Sequence, residues 1–106
     1  MNDLASEFTI SADHPALAGH FPGRPVVPGV VLLDATQAAI AGGETWTLHS
    51  IPVAKFLHPV LPGDRIELRI ELATEDPARL RARFRGLRSG LLVFEGTMLF
   101  ATGEAA

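Results

Sequence analysis

The 106-residue sequence has no cysteine. That absence removes disulfides, thiolate metal sites and cysteine nucleophiles together. Lysine is nearly missing as well: of nine basic residues, eight are arginine and only Lys55 is not. The formal net charge is −3, so nucleic-acid binding has no global electrostatic support. No apolar run approaches the ~20 residues needed to span a bilayer. The opening MNDLASEFTI lacks the basic region and apolar stretch of a signal peptide. Internal repeats, low-complexity tracts and linkers are also missing. These absences lead to the expectation of one soluble, cytoplasmic domain over residues 1–106, engaging neither nucleic acid nor membrane.

What is present is an apolar content of 47 %, enough for a packed core. Residues 7–12, EFTISA, suit a short first strand. Pro15, Gly19, Pro22, Gly23, Pro25, Pro28 and Gly29 punctuate the next stretch, which reads as an ordered loop. From Val30 to Ile40 nothing breaks a helix, and Gly42 and Gly43 stop it. Leu33, Gln37 and Ile40 share one face of that helix, and Val30, Asp34 and Ala38 another. TLHSIPVAKFLHP reads as an irregular strand in which Pro52 demands an edge or a bulge. Residues 60–64, VLPGD, form a turn. Then Ile66, Leu68, Ile70 and Leu72 alternate with Arg65, Glu67, Arg69 and Glu71. Leu80, Ala82 and Phe84 alternate with Arg79, Arg81, Arg83 and Arg85, and Gly86 is a candidate bulge. The last strand, LLVFEGTMLFA, is apolar on nearly both faces, as a central or interface strand would be.

The order is strand, loop, helix and about four strands able to form a meander. One helix must be covered, and the sheet offers the only large apolar surface. The expected class is therefore α+β, a highly curved antiparallel sheet wrapped around one central helix. The apolar last strand suggests a dimer. The arginine strip is either a solvated face that pairs with Glu67 and Glu71 or a docking surface for an acidic partner.

Two residues stand out. His14, His20, His49 and His58 show no metal-ligand spacing, so no metal and no cofactor is expected. Asp34 follows four apolar residues inside a helix, where a buried carboxylate costs several kcal/mol unless it is paired. A rigid loop joins it to His20. A glycine before a helix leaves backbone amides bare, which makes an anion or oxyanion site. Such a base, acid and oxyanion site suit proton abstraction beside a carbonyl with departure of a β substituent. They suit thioester hydrolysis almost as well.

The stretch HFPGRPVVPGVVLLD, residues 20–34, resembles the signature of the 3-hydroxyacyl-[acyl-carrier-protein] dehydratases of the FabA and FabZ type, which have a hot dog fold. A second block, KFLHPVLPGDRIEL at residues 55–68, resembles that family's strand and turn after the helix. The resemblance implies His20 as catalytic base and Asp34 as catalytic acid. It implies Gly29 as the amide that binds the thioester carbonyl, with Phe21 and Val30 lining the substrate path. The implied partner is acyl carrier protein bearing a phosphopantetheine-linked substrate, docked on Arg81, Arg83 and Arg85. The implied assembly is a homodimer, or a trimer of such dimers, with each site shared between subunits. Only 25 positions separate Asp34 from Pro59, fewer than in typical members, and short members resemble the ApeI-like dehydratases associated with aryl polyene biosynthesis. A hot dog thioesterase and a noncatalytic or partner-dependent subunit are the alternatives.

Overall fold

The computed structural model describes residues 2–17, 26–41 and 46–102. The elements are β1 (Asn2–Thr9), a short 3-10 turn (Pro15–Leu17), α1 (Gly29–Ala41), β2 (Trp46–Phe56), β3 (Arg65–Asp76), β4 (Arg79–Arg88) and β5 (Leu91–Thr102). The first strand starts earlier than the sequence pattern placed it and ends at Thr9. The helix starts at Gly29, directly after Pro28. Pro28 suits that boundary because it has no amide to lose, while its carbonyl accepts the Val31 amide at 3.0 Å.

The five strands form one antiparallel sheet in the order β1-β3-β4-β5-β2. Strands β3, β4 and β5 are a meander, whereas β2 leaves sequence order and pairs with β5. Both local irregularities foreseen in the sequence occur. The β2 register slips on either side of Ser50, the second slip spanning Pro52, and β4 slips between Gly86 and Leu87. The β4–β5 hairpin turns on Ser89 (φ 50°) and Gly90 (φ 83°), two consecutive left-handed residues of the kind that matches strand twist.

The highly curved, wrapped sheet is not what the chain forms. Its edges, β1 and β2, do not pair with each other, and the sheet is neither strongly curled nor closed. The reason lies in how little of the helix needs covering. The helix buries only the stripe Val31, Leu32, Thr36 and Ile40, so one sheet face suffices.

Val31, Leu32 and Ile40 of that stripe share one buried cluster with Ile66, Leu68 and Ile70 of β3, Leu80, Ala82 and Phe84 of β4, and Val93, Phe94, Met98 and Phe100 of β5. Within the core, two aromatic–glycine pairs face each other across β4 and β5. Phe84 lies opposite Gly96, and Phe94 opposite Gly86. A Cβ on Gly86 would strike the Phe94 ring, so the missing side chain is what makes room. The two rings then meet with centroids 6.1 Å apart, tilted 51°. Strand β5 is internal to the sheet, paired on its two edges by β4 and β2.

Candidate active site

The site is anchored on the first turns of α1. Gly29 is its first residue, and the ring of Phe56 on β2 lies against it: a Cβ there would come within 2.8 Å of the ring. The first amides of a helix have no intrahelical acceptor, so this end is a donor surface. Val30 and Asp34 follow at one-turn spacing and both are exposed. Val30 is 70 % exposed, the most of any large apolar side chain described. Asp34 therefore stands on the face of the helix turned away from the core. His20 and Phe21 lie outside the described residues.

The Pro59–Asp64 turn supports this end of the helix. The Val60 carbonyl accepts the Val27 amide at 2.8 Å, and both side chains are buried. Asp64 Oδ2 accepts the Leu61 amide at 2.9 Å, while the Asp64 amide donates to the Leu61 carbonyl at 3.0 Å. Arg88 at the end of β4 donates from one nitrogen to the Pro59 carbonyl (2.6 Å) and to Asp64 Oδ2 (3.2 Å). Gly63 has φ 91° and donates to the Ile10 carbonyl at 2.9 Å, which ties the turn to the chain beyond β1. The sequence singles out the PVLPGD block but not Arg88 as its partner. The two lie 24 positions apart, and no local pattern joins them.

The arginine strip faces away from the helix, as its parity predicts. Register decides the pairing. Arg83 lies opposite Glu71, but Arg85 lies opposite Arg69, and Glu67 lies opposite Leu87. Glu67 instead bonds Arg69 on its own strand at 3.2 Å. Arg83 and Arg85 make no ion pair among the described residues. A groove of about 870 Å³ crosses this face, with Lys55, Arg69, Arg83 and Arg85 set against Asp3, Glu67, Glu71 and Glu95. The charges along it balance. A second, shallower groove of about 770 Å³ runs past Val26, Leu61 and Arg88. Neither groove reaches Val30 or Asp34.

A helix laid on an antiparallel sheet of order β1-β3-β4-β5-β2, with a carboxylate on its outer face, defines a hot-dog domain with a candidate acid. The chain belongs to the ApeI-like family, described as ApeI dehydratase, whose model matches residues 1–91. It is similar to the 3-hydroxyacyl-[acyl-carrier-protein] dehydratase FabZ of Mannheimia succiniciproducens, 42 % identical over 76 residues, covering 62 % of this chain and 51 % of that one. The chain thus spans about half the length of the curated relatives it matches first. Among solved structures it is similar to the dehydratase heterocomplex ApeI:P from Xenorhabdus doucetiae, with TM-score 0.68, 25 % identity, and coverage of 93 % of this chain and 87 % of that one. The fluoroacetyl-CoA thioesterase FlK matches at TM-score 0.76 and 15 % identity, over 94 % and 84 % of the two chains, a likeness of fold alone.

The heterocomplex corrects one expectation. A homodimer, or a trimer of such dimers, is replaced by assembly with a different chain as the precedent within this family. The homodimer rests on reading the apolar last strand as an interface strand, and β5 has both of its edges paired within the chain, by β4 and β2. No helix among the described residues is long and apolar enough to cross a membrane.

Proposed function

We propose that this chain dehydrates 3-hydroxyacyl thioesters carried on acyl carrier protein, giving the trans-2-enoyl thioester. The observation that carries this is the placement of Asp34: a carboxylate on the outer face of α1, one turn after Val30, in a chain of the ApeI dehydratase family. In this reading His20 takes the proton from the carbon next to the thioester carbonyl. The carbon–oxygen bond at the β carbon breaks, and the hydroxyl leaves as water with a proton from Asp34. The proton on His20 then returns to the carboxylate through solvent. An imidazole titrates near neutrality, so it can accept and return that proton. The Gly29 amide steadies the charge that develops on the thioester oxygen. Phe21 and Val30 line the path of the acyl chain.

The exposure of Val30 and Asp34 supports a partner-dependent form of this reading. An acid that must work out of water needs a cover, and a single chain leaves this helix face open. A second, different chain, as in the ApeI:P heterocomplex, is the cover we propose. Carrier protein docks on Arg81, Arg83 and Arg85, whose outward parity presents them to an acidic surface.

The test is water loss from short and aryl-bearing 3-hydroxyacyl carrier-protein thioesters, followed by mass spectrometry. The chain is assayed alone and with the second chain of the Xenorhabdus complex. We expect the mass of one water to be lost, and the loss to vanish in His20→Ala and Asp34→Ala. Release of free thiol instead would identify a thioesterase. Neither product, with or without the second chain, would leave a noncatalytic subunit.

A further inference from the structure

Arg88 is the half-buried centre of a small polar network that touches no proposed catalytic group. Its guanidinium meets both ends of one turn, Pro59 through a carbonyl and Asp64 through a carboxylate. The same Asp64 oxygen accepts the Leu61 amide, so a single atom closes the turn and holds the arginine. Between those anchors lies the Val60 carbonyl, which accepts the Val27 amide. Apart from the bonds that the Pro28 carbonyl accepts from α1, this is the only backbone hydrogen bond between the pre-helix segment 26–28 and the rest of the described residues. Pro28 has no amide to add a second. Two residues after Val27 the helix begins, with Gly29 and then Val30 and Asp34.

We propose that Arg88 is a positioning residue. It staples the Pro59–Asp64 turn, and the turn sets the pre-helix segment and the first turn of α1 through Val27 and Val60. The catalytic part of this inference rests on the dehydratase reading above, whereas the staple itself does not. A planar guanidinium suits the task because it presents several fixed donors to a carbonyl and a carboxylate at once. The surface beside it is the open groove past Val26 and Leu61, so a small solute can reach the position. Misplacement of reacting groups by about 1 Å costs up to ~100-fold in rate, which sets the scale expected here.

The experiment compares wild type, Arg88→Ala, Arg88→Lys and the control Arg65→Ala, each as the full chain in the assembly that supports turnover. Arg65 is a fitting control because its pair with Glu7 is largely exposed. In Arg88→Ala we expect kcat to fall about 10- to 100-fold while KM stays within about twofold. Amide exchange at Val27 should accelerate while the β4–β5 core amides keep their protection. Millimolar guanidinium should restore part of kcat, and Arg88→Lys should fall between alanine and wild type. An unchanged kcat would overturn the proposal, whether or not Val27 loosens. So would a loss of protection spread over the whole sheet, which marks general destabilisation. If wild type removes no water, the dehydratase reading fails. Val27 exchange then decides the staple alone: loosening in Arg88→Ala supports it, and retained protection overturns it.

Discussion

At the scale of single residues, close packing rests on glycines that let rings and backbone approach, and one buried threonine bonds its own helix. Gly96 sits where a Cβ would meet the Val53 carbonyl oxygen as well as the Phe84 ring at 2.6 Å. The first obstacle is backbone, which cannot rotate aside. Gly96→Ala should therefore destabilise the chain by about 2–3 kcal/mol, seen as a lower midpoint in urea unfolding with an unchanged slope. Thr36 makes the opposite case. It is fully buried, and its hydroxyl donates to the Leu32 carbonyl at 2.8 Å within the same helix. Valine has nearly the same shape, and that carbonyl also lies within reach of the helix ladder. Thr36→Val should change stability by less than about 1 kcal/mol in the same measurement. The candidate acid was legible at this scale because a lone carboxylate in an apolar helical run is conspicuous. The sequence left open which way it points, and the helix turns it outward.

Elements are most legible where the side-chain period is clean. Strands β3 and β4 alternate in sequence and alternate in burial, Arg79 through Arg85 exposed between Leu80, Ala82 and Phe84. The first strand begins earlier than its pattern indicates because NDLASEFT has few apolar residues to mark a face. An edge strand needs only one row of pairing partners, and Leu4, Ser6 and Phe8 find theirs in Ile70, Leu68 and Ile66. The β4–β5 turn offers a prediction at this scale. Ser89 holds φ 50°, a region costing a non-glycine residue roughly 1 kcal/mol, and asparagine tolerates it far better. Ser89→Asn should raise stability by about 0.5 kcal/mol, checked as a thermal midpoint increase of roughly 2–4 °C. The expected meander holds for β3, β4 and β5, but the place of β2 is not legible in the sequence. Pairing of β2 with β5 joins segments separated by two whole strands, and no local pattern records so distant a partner.

For the whole molecule, the expected helix-and-sheet layering stands, but the sheet is open, and the assembly precedent among similar structures is a heterocomplex where the sequence leads to a homodimer. Closure could not be read because it depends on how much of the helix needs covering, which becomes visible only once its buried stripe is known. The uncovered face is where the proposed second chain would sit. Val30→Glu should abolish complex formation in native mass spectrometry while leaving the circular-dichroism spectrum and melting temperature nearly unchanged, because the side chain is exposed in the single chain. Charge reversal at Arg83 and Arg85 should weaken carrier-protein binding several-fold at low salt and much less at high salt. Equal effects at both salts would remove the docking role. The tie between Val27 and Val60 has a further consequence for how this chain can vary. Both partners are main-chain atoms, so either side chain can be exchanged for another of similar bulk without breaking the link. Deleting one residue between Pro59 and Asp64 would shift the carbonyl by about 3.3 Å and miss the amide altogether. The turn therefore tolerates drift in spelling but not in length.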